Sequence, residues 1–174
     1  MATTKHTLVA MVEDKPGVLN RVASLFRRRG FNIDSIAVGH SELPHISRMT
    51  IVVDGQTTSV EQVRKQLEKV VDVVRVTEIN SDDMINRELA LVKVKATPTT
   101  RSEIMQIVDI FRANIVDVQA EAVTVEVTGD EEKINSLLEL LDKFGIRELA
   151  RTGRIAMTRR GSGPLKETIG AGTR

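Results

Sequence analysis

The 174-residue chain repeats one order of secondary-structure elements in its two halves, and this internal repeat limits the fold more than any other sequence feature. In the first half, apolar residues at steps of three and four indicate two amphipathic helices, and short apolar runs around them predict four strands. The stripe of the first helix consists of Val18, Val22, Leu25 and Phe26. The second half repeats this βαββαβ order, and residue types correspond at several positions, such as Phe26 with Phe111 and Leu67 with Leu138. We therefore predict an α+β protein made of two tandem ferredoxin-like βαββαβ domains.

A polar connector and a glycine-rich tail suggest the domain boundaries. We assign residues 5–79 to the first domain, 80–86 to a linker, 87–158 to the second domain and 159–174 to a flexible tail. The tail assignment is compositional, because the segment contains four of the 11 glycines of the chain. In each domain two helices cover one face of the sheet, which leaves the other face or an edge to be covered. Domain pairing or dimerisation is the simplest way to cover it.

Composition excludes several classes of site. The chain has no cysteine, which removes disulfides, cysteine nucleophiles and cysteine zinc sites. Its formal net charge of +1 gives no argument for a nucleic-acid or anionic-membrane partner. No apolar run approaches the about 18 residues of a transmembrane helix, and the first residues lack a signal-peptide core, so the expected location is the cytoplasm.

Two binding or catalytic alternatives have weak support in the residues. An RNA-recognition module has the same βαββαβ order, but the predicted central strands 7–12 and 49–53 contain no aromatic residue. His40 and His45 could serve a small ferredoxin-like enzyme, yet no acidic pair frames them as a metal site would require, and solvated loop histidines are the simpler interpretation. We expect no catalytic residue and no metal site.

The informative segment is the loop between the first strand and the first helix, residues 12–19. A helix start exposes unpaired N–H groups and partial positive charge, and Gly17 lacks a side chain that would keep a ligand from the backbone. These features suit a carboxylate, while Asp14 or Asn32 could bind an ammonium group, so a free amino acid fits. The alternative is that Pro16 and Gly17 only turn the chain and Asp14 caps the helix.

Several long stretches closely resemble the small regulatory subunit of acetolactate synthase, also called acetohydroxyacid synthase. The similar stretches are residues 13–22, 25–36, 47–51, 66–76, 87–94, 110–118 and 150–155. The resemblance covers about Lys5 to Arg159, and the runs Phe26 to Ile36 and Ser47 to Thr50 are its specific parts. The Pro-Gly-Val-Leu loop by itself indicates only an ACT domain, a module of many amino-acid sensors.

The resemblance implies a function and partners. The first half would be an ACT domain and the second half an ACT-like domain, and the ACT domains would pair to form a homodimer. A branched-chain amino acid, usually valine, would bind at that interface. The subunit would activate a large catalytic subunit and confer feedback inhibition on it. Thiamine diphosphate, Mg²⁺ and FAD would belong to the catalytic partner, and this chain would hold no cofactor.

Carried over by position, the resemblance assigns an effector site to six residues. They are Asp14, Gly17, Val18, Leu19, Asn32 and Ile33. Gly17, Val18 and Leu19 would offer backbone N–H groups to the effector carboxylate, and Asn32 would bind its polar head. Many relatives have Asn where this chain has Asp14, which accepts from an ammonium group but cannot donate to a carboxylate. A tandem ACT protein that regulates another pathway is the alternative that keeps the sensor and changes its target.

Overall fold

The computed structural model describes residues 5–55 and 59–159. The strands are Lys5–Glu13 (β1), Ile33–His40 (β2), Ile46–Asp54 (β3), Val73–Ile79 (β4), Met84–Lys95 (β5), Asn114–Val118 (β6), Ala122–Gly129 (β7), Ile146–Arg151 (β8) and Ile155–Thr158 (β9). The helices are Val18–Arg29 (α1), Val60–Leu67 (α2), Arg101–Ile110 (α3) and Glu131–Asp142 (α4), with a short 3-10 turn over Ser81–Asp83. The predicted α+β class with a repeated βαββαβ order is confirmed.

The two repeats have the same sheet topology. The first sheet has the order β2-β3-β1-β4, and the second has the equivalent order β6-β7-β5-β8, with antiparallel neighbours along both orders. β9 is a fifth strand of the second sheet and pairs β5. In the first sheet, β3 lies between β1 and β2. Near one end of β3, Val53 is opposite His6 of β1 and Ile33 of β2. Near its other end, Ser47 is opposite Val12 of β1 and His40 of β2. The C-terminal ends of β1 and β2 therefore lie at the same end of the sheet, which we call the loop end.

The first unit has its core between one sheet face and α1 and α2. Leu8 on β1 and Ile51 on β3 are fully buried against the α1 stripe that contains Phe26. Truncating a fully buried leucine such as Leu8 to alanine costs about 2–5 kcal/mol. Gly30 ends α1 as a left-handed C-cap, with φ of 66°, and its N–H donates to the carbonyl of Arg27 at 3.3 Å.

The second unit repeats this arrangement with its own core. Alternate residues of β5, Ala90, Val92 and Val94, are fully buried against α3 and α4. The side chain of Asp130 caps α4 by accepting a hydrogen bond from the Lys133 N–H at 2.9 Å. Val123, Val125 and Val127 of β7 are buried in the same way, since alternate residues of a strand line one face of the sheet.

After the second unit, the chain returns to the first unit at residue 154. Residues 5–55, 59–85 and 154–159 form one unit, and residues 86–153 form the other. The sequence analysis extended the second domain to residue 158, whereas the structure groups Arg154 and β9 with the first unit. There, Ala156 packs on the sheet face opposite the helices, against Val9, Met11 and Ile79. The 154–158 segment thus covers a face that would otherwise expose large apolar side chains.

Polar contacts hold the 154–158 segment in place. Arg48 Nη2 donates to the Ala156 carbonyl at 2.7 Å, and the Arg154 N–H donates to Ser35 Oγ at 2.9 Å. Partial burial lowers the pKa of Arg48, with nearby Glu42 opposing the shift. The Arg159 N–H closes the segment on the Asp83 carbonyl at 2.8 Å. The segment therefore runs from the edge strand β2 towards Asp83, which follows the other edge strand, β4.

Two further expectations from the sequence concern the tail and membrane-spanning helices. The predicted flexible tail, 159–174, lies outside the described residues except for Arg159. Among the helices of residues 5–55 and 59–159, none combines the length and the apolar character needed to cross a bilayer.

Candidate functional site

The loop that joins β1 to α1 has a backbone conformation that favours glycine. Gly17 is the N-cap residue of α1 with φ of 88°, in the left-handed region that other residues rarely adopt. A Cβ atom built on Gly17 would meet no atom within 4 Å, so the space beside the helix start is open. Glycine is therefore required here by the backbone turn, and the open space leaves the helix start accessible.

The start of α1 lacks a side-chain cap and has no acidic residue in its first turn. The first regular helical bond runs from the Arg21 N–H to the Gly17 carbonyl at 3.0 Å, so the N–H groups of Leu19 and Asn20 have no helical acceptor. The Val18 N–H makes only a long contact of 3.4 Å with the Lys15 carbonyl. These donors and the helix dipole are the features that a bound carboxylate would use.

Hydrogen bonds and ion pairs hold the β1–α1 loop against the segment before β4. The Glu13 N–H donates to the Asp72 carbonyl at 2.8 Å, and Arg21 on α1 forms an ion pair with the buried Asp72 carboxylate. Lys15 bonds Glu13 at 2.7 Å, and this hydrogen bond together with the Coulombic attraction raises the pKa of Lys15. The loop backbone is therefore held by the segment before β4 while its outer side stays exposed.

Asp14 faces a histidine instead of capping the helix. Its Oδ2 lies 3.3 Å from His40 Nδ1, at the end of β2, and its N–H donates to the His45 carbonyl at 2.8 Å. The interpretation that Asp14 caps α1 is therefore wrong. His45 itself adopts a φ of 61° in the β2–β3 hairpin. Both side chains of the Asp14–His40 pair are exposed, so the pair contributes little stability and leaves the Asp14 carboxylate accessible to a cation.

Sequence analysis missed the position of the two hairpin histidines beside the loop. No sequence signal relates His40 and His45 to Asp14, because the contact depends on how the hairpin bends at the loop end. No group of three or more metal-ligating side chains occurs within residues 5–55 and 59–159, so these histidines do not belong to a metal cluster there.

The six residues assigned to an effector site fall into two groups within one chain. Asp14, Gly17, Val18 and Leu19 lie at the loop end, with Val18 buried in the core and Leu19 exposed. Asn32 and Ile33 lie beyond the other end of α1, and its 12 residues separate the two groups by about 18 Å. A small amino acid cannot span that distance, so one chain alone offers it only the loop-end group.

The loop-end group combines two kinds of recognition. Backbone donors at the helix start attract a carboxylate, and the Asp14 carboxylate attracts an ammonium group. Both are charges of a free α-amino acid at neutral pH. Within one chain, the geometry is therefore suited to an amino-acid zwitterion.

Two family models together match most of the chain. A model described as the AHAS small subunit-like ACT domain matches residues 8–75. A model described as the small subunit of acetolactate synthase matches residues 87–160. The matches coincide with the two structural repeats.

Similar proteins give the same description over nearly the full length. An acetolactate synthase small subunit of Mycolicibacterium smegmatis is 51% identical over 166 residues, covering 94% of this chain and 98% of the relative. A probable acetolactate synthase small subunit of Methanothermobacter thermautotrophicus is 55% identical, with coverage of 91% and 95%. The crystal structure of the acetolactate synthase small subunit from Thermotoga maritima superposes with a TM-score of 0.85 at 43% identity, covering 91% of this chain and 99% of that one.

Proposed function

Because the chain belongs to the acetolactate synthase small-subunit family, we propose that it is the regulatory subunit of that enzyme and that it makes the enzyme sensitive to a branched-chain amino acid. It has no catalytic role of its own. It raises the activity of a large catalytic subunit in the cytoplasm, and bound valine reverses that effect. Thiamine diphosphate, Mg²⁺ and FAD belong to the large subunit.

The uncapped start of α1 beside Asp14 is the observation that carries this proposal. A valine carboxylate would accept from the N–H groups of Leu19 and Asn20, and its ammonium group would lie against Asp14. Hydrogen bonds to charged groups contribute about 1.5–3 kcal/mol each, so two or three of them suffice for a micromolar to millimolar effector. The exposed side chain of Leu19 could line one side of a small apolar pocket.

A homodimer completes the site in this proposal. Strand β2 is an edge strand without proline, so its outer backbone groups are available for pairing. If two copies pair antiparallel through β2, Asn32 of one copy approaches the loop end of the other. The second copy then supplies the amide that lies about 18 Å away within one chain. A site of this kind exists only in the dimer, so effector binding and subunit packing are linked.

Feedback follows from that linkage. Valine stabilises the subunit packing in which Asn32 and the loop close on it, and that packing holds the catalytic subunit in a less active state. A coupling free energy of about 1–3 kcal/mol gives a 5- to 150-fold effect on the affinity for the active state.

Two measurements on the intact chain test the proposal. In isothermal titration calorimetry, L-valine should give a saturable heat that D-valine does not give, with one stoichiometric site per chain or per pair of chains. In reconstitution with the large subunit of the same organism, the chain should raise acetolactate formation from pyruvate, and L-valine should reduce it. Activation without any response to valine, leucine or isoleucine would contradict the sensor role, and stereoselective binding without activation would favour a different enzyme target.

A further inference from the structure

A groove on the helix side of the first unit is not used by the proposed effector site. It lies between α1 and the turn that follows α2, has a volume of about 460 Å³ and is open to solvent. The groove is lined by residues of one unit only, including Arg21, Leu25, Arg28, Lys69, Val70 and Val71. We call it the helix groove.

The floor and lip of the helix groove are apolar. Leu25 is buried in the core and Val70 packs against it, while Val71 is 88% exposed. No other large apolar side chain in the described part of the chain is as exposed as Val71. An isolated exposed valine is ordinary, but a valine at the lip of a groove with an apolar floor is suited to being buried by a partner.

The rim of the helix groove is cationic. Arg21 is neutralised by its ion pair with the buried Asp72. Arg28 and Lys69 are exposed and form no ion pair with any residue in 5–55 or 59–159. The groove therefore has two uncompensated positive charges around an apolar lip, although the chain as a whole is almost neutral at +1. An acidic surface with an apolar contact would complement it.

Two other surfaces of the first unit are covered in the structure or used in the proposed homodimer. The sheet face opposite the helices is covered by the 154–158 segment, in which Ala156 is 5% exposed. The β2 edge is assigned to the homodimer. The helix face is used by neither, and it carries the helix groove.

We propose that the large catalytic subunit docks in the helix groove, placing an acidic segment between Arg28 and Lys69 and burying Val71. This inference rests on the proposed function, since it names the surface through which the regulatory subunit would act. The groove lies on the same α1 whose start would bind the effector carboxylate, so a shift of α1 on valine binding would move the rim residue Arg28 as well.

Charge reversal at the rim tests the docking surface. The variant carries Arg28→Glu and Lys69→Glu, and its matched control carries Arg27→Glu and Arg29→Glu, which make the same charge change with exposed residues of α1 outside the groove. We expect the subunit concentration for half-maximal activation to rise at least about tenfold in the variant and to change less than about twofold in the control. At salt concentrations near 1 M the Debye length is about 3 Å, so the half-maximal concentrations of the variant and the control should become more similar.

A second variant and a second readout separate the possible results. Val71→Ser changes no charge and, because the side chain is exposed, has little effect on folding; it should also weaken activation, about threefold to tenfold. Valine binding measured by calorimetry on the isolated variants should remain as in the unmodified chain. Equal activation by the groove and control variants would overturn the docking proposal alone, whereas an unmodified chain that activates no large subunit would overturn the proposed function.

Discussion

The two βαββαβ units have the same topology, but their first strand-to-helix loops differ in how polar groups are satisfied. In the first unit, Gly17 begins α1 without a side-chain cap or an acidic residue in the first turn. In the second unit, the Arg101 N–H bonds the Thr97 carbonyl at 3.0 Å, and the Thr97 and Thr100 hydroxyls lie 3.0 Å apart in a mutual hydrogen bond. Thr100, the N-cap residue of α3, also makes no side-chain cap bond, so both helix starts leave backbone N–H groups without a helical acceptor. The loops differ because the threonine hydroxyls of the second one bond each other and the Thr97 N–H.

Two charged residues complete the contrast at α3. Glu103 puts a carboxylate in the first turn of that helix, which complements the dipole that a ligand carboxylate would otherwise meet. Arg101 Nη2 donates to the carbonyls of Gln119 and Ala120 at 3.0 and 2.9 Å, so it ties the helix start to the β6–β7 connection. The same fold thus has a helix start without an acidic residue in its first turn in one unit, and a helix start with Glu103 in its first turn in the other. We expect only the first to sense an amino acid.

The largest expected effect comes from Gly17→Asp. The new carboxylate would compete for the N–H groups of Leu19 and Asn20 and repel the effector carboxylate, while the φ of 88° strains the new residue. Losing two charge-assisted hydrogen bonds should weaken L-valine binding by about 100-fold or more. Calorimetry with L-valine measures this loss, and the reconstituted enzyme should stay activated but insensitive to valine.

The matched change in the second unit is Thr100→Asp, at the N-cap of α3. It adds the same charge at the corresponding helix start, and we expect the affinity for valine to change less than about twofold, the range of a remote surface charge. If Thr100→Asp reduces valine binding as much as Gly17→Asp does, the two loops do not differ in function as their hydrogen bonds indicate.

The second prediction concerns the sheet face that the 154–158 segment covers. Ala156→Glu would force a carboxylate against Val9, Met11 and Ile79, so the segment should detach from the first sheet. We expect the first unit to lose about 2 kcal/mol of stability, which makes the amides of β1 exchange with solvent about 30-fold faster. Native-state hydrogen exchange resolves this, because the amides of β7 in the second unit should keep their rates.

Met157→Glu is the control for this substitution. Met157 is the next residue in β9 and is 57% exposed, so the same carboxylate points into solvent and β1 should keep its exchange rates. Equal acceleration in both variants would mean that β9 is sensitive to charge in general, and acceleration in β7 would mean that the segment stabilises both units.

Local patterns were sufficient to predict the repeat and part of the loop. The α1 stripe, its end at Gly30 and the turn at Gly17 each follow from residue chemistry within a few positions. The return of the chain to the first unit could not be read in this way. In the 154–158 segment the large apolar residues Ile155 and Met157 are exposed, while Arg154 and Ala156 are buried, which inverts the usual pattern.

The contact of Asp14 with His40 also could not be predicted from the sequence, for a different reason. The two residues are brought together by the β2–β3 hairpin, and that hairpin adopts a positive φ at His45, a residue that gives no turn signal of its own. Such a contact depends on the closed fold, and no periodicity along the chain encodes it. The split of Asn32 from the loop by the length of α1 is likewise visible only once the helix direction is known.

The smallest predicted effect separates two helix starts, one in each unit. Asp130 caps α4 by accepting the Lys133 N–H at 2.9 Å, whereas Ser59, the N-cap residue of α2, makes no side-chain cap bond. Asp130→Ala should therefore reduce the free energy of unfolding of the second unit by about 1 kcal/mol, and Ser59→Ala should leave the first unit unchanged within about 0.5 kcal/mol. Hydrogen exchange of α4 and α2 amides in the two variants measures each value. An equal loss at Ser59 would mean that its hydroxyl caps α2 in solution, and the first unit would then leave only α1 uncapped.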